Sequence, residues 1–276
     1  MPIIHAIVLG LVQGLSEFLP ISSSGHLLIV PWLFGWDDLD SESIKKAFDV
    51  ALHLGTLIAV VGYYRRDVLM YVRDGVRAVV RRDRDTTPHG RMAWLLVMAS
   101  IPAAVVGVLL ETWIDDELGR PWIIAVSLIV FALVLAWADR RKGSREFDEF
   151  TTRDAAVIGV AQVLALNPGT SRSGISMSAA MARGLDRAAA ARFSFLLSIP
   201  VTAGAVVVKV GGLFSDGLPD GLLAPMIAGV ITAGLSGWLA VWGLMRLIRT
   251  SSFDGFVAYR VLLGAGVLLV LASGWR

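Results

Sequence analysis

The sequence predicts an all-α membrane protein that crosses the bilayer several times. Of its 276 residues, 55% are hydrophobic and 17% are charged, too few charges to cover a soluble domain of this size. The mean hydropathy is +0.68. Several apolar stretches reach the roughly 20 residues that a helix needs to cross a hydrocarbon core of about 30 Å. Stretches of this length favour helices over barrel strands, because a helix satisfies its own backbone polar groups.

Six stretches have the length and composition of full spans. They are about 47–65, 92–112, 121–138, 190–210, 222–247 and 256–275. Two further apolar regions, 2–34 and 154–183, are each interrupted by a polar segment. The first contains Ser16, Glu17, Pro20 and the run 22–25, and the second covers 167–174. Each region is therefore predicted to form two half-length helices joined at a polar break.

Loop charges orient these spans, because basic loops stay in the cytoplasm. Eight arginines between Arg65 and Arg91 place that loop inside, and the basic run at 140–145 places the next one inside as well. The acidic stretches around 37–42 and 111–120 then belong outside. The loop 211–221, which has no Lys or Arg, falls outside only if region 154–183 enters and returns to the cytoplasm. That region is predicted to be a re-entrant hairpin.

The two interrupted regions also resemble each other. Gly10, Gln13, Pro20, Ser22, Ser24 and Gly25 match Gly159, Gln162, Pro168, Ser171, Ser173 and Gly174, with one gap. If the first region is also a hairpin, it enters from outside while the second enters from inside. This arrangement is an inverted repeat within a single membrane domain, with copies at about 1–112 and 150–247. The alternative is chance similarity between apolar segments rich in Ser and Gly.

The two breaks are the candidate functional site. Polar groups at bilayer depth are costly, and irregular backbone is tolerated there only if it lines a cavity or is buried in protein. Each returning half-helix begins at a break, so its free N–H groups face the protein centre. Together with neighbouring side chains, two such N-termini form an anion site. Those side chains are Ser22, Ser23, Ser171, Ser173 and Arg172, whose planar guanidinium suits phosphate oxygens.

Two other polar residues, Glu17 and His26, have two interpretations each. Glu17 and Gln13 lie four residues apart, on one helical face, and their oxygens suit a hard cation. Alternatively, Glu17 is a structural partner of Arg172. His26 suits a nucleophile, general base or general acid, or else it caps the helix. His53 and Asp49, four residues apart in the first full span, either border the same cavity or, as we predict, form a satisfied buried pair.

Two motifs carry a resemblance to a known family, the undecaprenyl-diphosphate phosphatases of the BacA/UppP type. They are Gln13-Gly-Leu-Ser-Glu-Phe-Leu-Pro-Ile-Ser-Ser-Ser-Gly-His26 and Pro168-Gly-Thr-Ser-Arg-Ser-Gly174. The segment 48–56 is similar to the family as well, and the resemblance extends over essentially the whole chain. It implies a hydrolase that removes the terminal phosphate of undecaprenyl diphosphate and recycles the lipid carrier for cell-wall synthesis.

The resemblance also implies roles for individual residues. Glu17 would serve metal binding or acid–base chemistry, and Arg172 would bind the diphosphate. Either Ser23, with His26 as its base, or His26 itself would attack phosphorus. Gln13 stands where some members have Glu, and we assign it a helper role. The predicted substrate contacts are Gln13, Ser22, Ser24, Gly169, Thr170, Ser171 and Ser173.

The resemblance further implies a divalent cation, Mg²⁺ or Ca²⁺, held by Glu17 and Gln13, and a site that opens to the outer face of the cytoplasmic membrane. The expected partners are the polyprenyl diphosphate and the lipid bilayer, and a homodimer is compatible with the sequence. No nucleic acid is expected, because the basic residues are divided among loops.

Two rival functions share features with this sequence. Ser24-Gly25-His26 and Ser171-Arg172 resemble elements of an acid phosphatase superfamily, but residues 173–177 lack the His and Asp that it requires after Ser-Arg. We reject that class. An inverted repeat of broken helices is also transporter architecture, so a lipid flippase is the remaining alternative.

Overall fold

The computed structural model describes residues 1–37, 42–81, 87–216 and 221–275, and within these ranges it contains eleven α-helices and no β-strand. The helices are α1 (Ile3–Phe18), α2 (Ser23–Phe34), α3 (Glu42–Tyr63), α4 (Arg65–Arg81), α5 (Pro88–Leu118), α6 (Pro121–Asp139), α7 (Thr152–Gln162), α8 (Arg172–Ala182), α9 (Arg187–Asp216), α10 (Leu223–Leu247) and α11 (Asp254–Ala272).

Five helices in the described ranges are long and apolar enough to cross a membrane. They are Pro88–Leu110, Pro121–Asp139, Arg187–Val207, Leu223–Leu247 and Asp254–Ala272. They correspond to the last five predicted spans, and they confirm an all-α protein that passes through the membrane several times. Helices α5 and α9 continue to Leu118 and Asp216, well into the predicted loops 111–120 and 211–221. A helix that emerges from the bilayer can continue in water, so hydropathy does not mark its end.

The first predicted span, 47–65, differs from this pattern. Helix α3 ends at Tyr63, and α4 begins at Arg65 after a bend of 87°; the pair has the length and hydropathy of a span only when taken together. The predicted basic loop 65–91 is therefore largely helical. Exposed apolar side chains recur at Leu69, Val72 and Val76, which is a helical spacing that the arginines between them obscure.

Parts of the predicted loops lie outside the described residues. These are Asp38 and Asp40 in the acidic stretch, Arg82 and Arg84 in the basic loop, and 217–220 in the loop without Lys or Arg. The orientation derived from loop charges stays a prediction.

Both interrupted regions consist of two half-length helices, as predicted. Helix α1 ends at Phe18 and α2 begins at Ser23, while α7, extended by a 3₁₀ turn over Val163–Leu166, is followed by α8 from Arg172. Each returning helix has a serine immediately before it. Ser22 has a φ of 77° and Ser171 a φ of 75°, values that are uncommon for residues other than glycine. The two breaks thus have the same local conformation.

The surrounding helices pack in a matched way. Helix α1 packs against α10, which also contacts α3, whereas α7 packs against α5, which also contacts α9. The corresponding glycines, Gly10 and Gly159, make these contacts close: a Cβ added at either would lie 2.8 Å from a backbone oxygen, that of Gly229 or Ala99. The opposite orientation of the two copies in the bilayer, and their bounds at 1–112 and 150–247, stay predictions.

Candidate active site

Each break begins its returning helix with a serine cap. The Ser22 hydroxyl accepts the N–H of Gly25 at 3.4 Å, and the Ser171 hydroxyl accepts the N–H of Gly174 at 3.1 Å. Such caps satisfy one of the N–H groups that a helix start leaves free. They also hold both serines in the uncommon backbone conformation. The N–H groups in the first turns of α2 and α8 that these hydroxyls do not bind remain at the breaks.

The two breaks meet in space, although 147 residues separate Ser22 from Gly169. The Ser22 hydroxyl accepts the N–H of Gly169 at 3.0 Å, and the Ser173 hydroxyl donates to the carbonyl of Leu19 at 2.9 Å. A Cβ added to Gly25 would lie 3.3 Å from the Gly169 Cα, so the backbones are in close contact. The predicted convergence of the breaks is present in the structure.

The carboxylate of Glu17 lies at the centre of this junction. Arg172 Nη2 donates to its Oε1 at 2.9 Å, and Ser23 Oγ donates to its Oε2 at 2.6 Å. Gln13 Nε2 also donates to Oε2, at 3.2 Å. The side chains of Glu17 and Arg172 are only 8% and 13% exposed, so this is a shielded ion pair. A hydroxyl, a carboxylate and a guanidinium from both hairpins therefore share one contact network.

Some of the other predicted substrate contacts form hydrogen bonds at the junction, and others do not. The Ser171 and Ser173 hydroxyls lie 3.1 Å apart at the junction, where Gly169 donates its N–H to Ser22. Thr170 is fully buried, and its hydroxyl has no hydrogen-bond partner among the described residues. Ser24 is exposed, and no contact joins it to the Glu17 network in the described part of the chain. Apart from Ser24 and the Thr170 hydroxyl, the predicted residues named so far are thus joined by hydrogen bonds at the junction.

His26 is turned away from Ser23. Its Nδ1 lies 2.6 Å from the Ser22 carbonyl oxygen, and its Nε2 lies 2.7 Å from the Tyr259 hydroxyl. The predicted pairing of Ser23 with His26 as its base is absent, because Ser23 donates to Glu17 instead. His53, which was expected to pair with Asp49, contacts the Asp49 backbone carbonyl at 2.8 Å.

Sequence reasoning missed Arg260, a fully buried residue of α11. Its guanidinium donates to Pro20 O in the first break and to Gly169 O and Thr170 O in the second, at 3.1, 2.8 and 3.0 Å. Its Nε donates to Leu128 O of α6 at 3.2 Å. An arginine inside an apolar span was the available signal, since charges at that depth are rare and usually functional.

The side-chain oxygens available at the site limit how a cation can be bound. Among the described residues, no group of three or more His, Cys, Asp or Glu side chains comes together. Both Glu17 oxygens already accept hydrogen bonds, whereas the buried Gln13 Oε1 has no partner in the described ranges. One carboxylate and one amide oxygen fit a Mg²⁺-like ion that completes its coordination with water and phosphate. They do not fit a site made of protein ligands alone.

The fold and the site together define a class: a polytopic membrane protein whose two broken helical hairpins build one buried, phosphate-compatible centre. The family model described as "Bacitracin resistance protein BacA" matches residues 6–266. The chain belongs to this family.

Relatives from several bacteria match over nearly their full length. A protein of Geobacter sulfurreducens is 45% identical over 98% of this chain and 99% of its own. A protein of Moorella thermoacetica is 45% identical over 100% of this chain and 99% of its own. One from Desulforudis audaxviator is 47% identical over 96% and 97%, respectively. All three are named undecaprenyl-diphosphatase.

Proposed function

We propose that this protein hydrolyses undecaprenyl diphosphate to undecaprenyl phosphate and inorganic phosphate, which recycles the lipid carrier for cell-wall polymer synthesis. The names of the full-length relatives support this reaction. The structural observation that carries the proposal is the contact of the Ser23 hydroxyl with Glu17, at 2.6 Å, while Arg172 holds the other oxygen of that carboxylate. A nucleophile, a base and a cation for phosphate are thereby assembled in one place.

The diphosphate binds, in this proposal, where the two helix starts converge. Free N–H groups and positive dipole ends at the starts of α2 and α8 favour an anion. Arg172 donates to Glu17 Oε1 and to the Ser194 carbonyl at 2.9 Å each. An arriving diphosphate, which carries more negative charge than one carboxylate, takes over the Nη2 donor. Glu17 thereby loses its hydrogen bond from Arg172 when the diphosphate binds, and it can then act as the base.

The chemistry then follows from the Ser23 contact. Ser23 Oγ forms a bond to the terminal phosphorus while Glu17 Oε2 accepts the hydroxyl proton. The bond from that phosphorus to the bridging oxygen breaks, and the oxygen leaves with the lipid monophosphate. Water next hydrolyses the phosphoserine and releases inorganic phosphate. Arg172 and the helix N–H groups stabilise the charge on the phosphoryl oxygens throughout.

A divalent cation, Mg²⁺ or Ca²⁺, is part of the proposal, with Glu17 and Gln13 as the residues that would hold it. When bound there, it would neutralise phosphate charge. Gln13 Oε1, which has no hydrogen-bond partner among the described residues, supports this assignment. Glu17 alone supplies a carboxylate, so we expect the substrate to strengthen cation binding.

Purified protein in detergent tests the reaction directly. We expect inorganic phosphate to be released from undecaprenyl diphosphate, whereas a pure flippase would release none. Rapid quench in neutral SDS, which preserves both phosphoserine and acid-labile phosphohistidine, with substrate labelled in the terminal phosphate should leave the label on Ser23. A labelled His26 would identify the histidine as the nucleophile, and the absence of any covalent adduct would favour direct attack by water.

We further propose that the protein lies in the cytoplasmic membrane with the site open to its outer face. The chain contains no cysteine, so single cysteines give clean labels. A membrane-impermeant maleimide added to intact cells should label Ser24→Cys, which is exposed beside the first break, but not Ser144→Cys in the basic loop. The reverse pattern would invert the orientation. A homodimer stays a proposal, which light scattering of the purified protein would test.

A further inference from the structure

Helix α11 supplies the partner of the site histidine. The Tyr259 hydroxyl lies 2.7 Å from His26 Nε2, and the two rings are nearly parallel, with 5.7 Å between centroids and 9° between planes. The other ring nitrogen, Nδ1, lies 2.6 Å from the carbonyl oxygen of Ser22. Both nitrogens of His26 are therefore engaged, one by the break itself and one by a residue 233 positions away.

These two contacts fix the tautomer of the neutral ring. A carbonyl oxygen can only accept, so the proton of the neutral imidazole is on Nδ1 and the lone pair is on Nε2. The Tyr259 hydroxyl is then the donor to Nε2. The single nitrogen that can accept a proton or attack phosphorus is covered by this hydroxyl.

The position of Tyr259 is itself fixed by its neighbour. Arg260 is fully buried and donates to carbonyl oxygens in both breaks, at 2.8–3.1 Å, so α11 cannot slide relative to the junction without losing these bonds. Tyr259 remains 43% exposed, while His26 is 7% exposed. The tyrosine ring thus lies between the histidine and the surroundings of the protein.

We propose that Tyr259 is a positioning residue, which holds the His26 ring in place, while the Ser22 carbonyl sets its tautomer, and which keeps Nε2 paired until substrate reaches the junction. The inference rests on the proposed hydrolysis and extends it: His26 Nε2 accepts the proton of the water that hydrolyses the phosphoserine, and Tyr259 is the group that controls access to this nitrogen. Tyr259 acts through His26 and forms no contact with Glu17 or Ser23 in the described structure.

Tyr259→Phe removes one oxygen atom and keeps the ring stack. Phosphate release should show kcat lowered about tenfold and KM changed less than about twofold, because misplacing a reacting group costs rate rather than binding. In a His26→Ala background the same substitution should have no further effect, as expected for two residues that act as one unit. Tyr63→Phe, in α3, is the matched control and should behave as the wild type.

A second measurement does not depend on activity. The chain has only four histidines, so the ¹⁵N signals of their side chains can be assigned by single substitutions. In the wild type, His26 should show a protonated Nδ1 and a hydrogen-bonded Nε2, and Tyr259→Phe should shift the Nε2 signal. An unchanged His26 spectrum, or an equal loss of kcat in the His26→Ala background, would overturn the inference. Wild-type protein that releases no phosphate would instead count against the proposed function.

Discussion

The two breaks have the same backbone conformation but carry side chains of different chemistry. Ser22 and Ser171 cap the returning helices in the same conformation, and the next residue is Ser23 in one break and Arg172 in the other. Both of these residues donate to Glu17, one to each carboxylate oxygen. At the position matching Glu17, four residues after Gln162, the second break has Leu166. One scaffold, used twice, thus places a nucleophile and a cation on opposite sides of a single carboxylate.

The cation of the second break gives the largest expected effect. Arg172→Ala should lower kcat/KM at least about 10³-fold, because it removes the guanidinium that would bind the diphosphate. Phosphate release by the purified variant measures the loss. Arg172→Lys should recover a small part of the activity, since it restores the charge but not the planar donor pair.

An exposed arginine provides the control for this substitution. Arg153→Ala should keep wild-type activity. Circular dichroism and gel filtration should show that Arg172→Ala remains folded. Normal turnover by that variant would exclude the assignment of Arg172 to the phosphate.

The nucleophile of the first break gives the next largest effect. Ser23→Ala should lower kcat by about 10²–10³-fold, with a small change in KM, because the hydroxyl acts in the chemical step and not in binding alone. The exposed Ser144→Ala is the matched control. If Ser23→Ala retained most of its kcat, attack by His26 or by water would replace the phosphoserine mechanism.

The two entering helices, α1 and α7, differ in how their first turns are stabilised. The first turn of α7 contains Asp154, which is fully buried and bound by Arg145, Arg183 and Thr151. The start of α1, in contrast, has no side-chain cap. Asp154→Asn should lower the free energy of unfolding by about 3 kcal/mol, because it leaves two guanidinium groups without their partner. Thermal unfolding in detergent measures this change.

The control for Asp154 is Asp148, six residues earlier in the chain. Asp148→Asn removes an exposed carboxylate for which no ion pair is present among the described residues, and it should leave the melting temperature unchanged. Equal melting temperatures for Asp154→Asn and the wild type would show that the network at the start of α7 is dispensable.

The sequence predicted those features that depend on nearby residues. Hydropathy located five spans, and the polar runs around Ser22 and Ser171 located both breaks. The sequence did not predict α4, because the arginines of that helix lower its hydropathy and mask its apolar face. Nor could it pair His26 with Tyr259 or Ser23 with Glu17. Those contacts depend on where α11 lies and on how each side chain turns, and neither is encoded by spacing along the chain.

The smallest expected effect tests whether the two copies are packed alike. Gly10→Ala and Gly159→Ala each place a Cβ 2.8 Å from a backbone oxygen of the facing helix, so both should lower the free energy of unfolding by about 1–3 kcal/mol. Gly243→Ala is the control in α10, since nothing lies within 4 Å of its added Cβ. Melting temperatures of the three variants in one detergent give the comparison.

Similar losses for Gly10→Ala and Gly159→Ala would support matched packing of α1 on α10 and α7 on α5. A loss confined to Gly10→Ala, whose Cβ would also lie 1.9 Å from the Thr232 hydroxyl, would show that the second interface has diverged and can adjust.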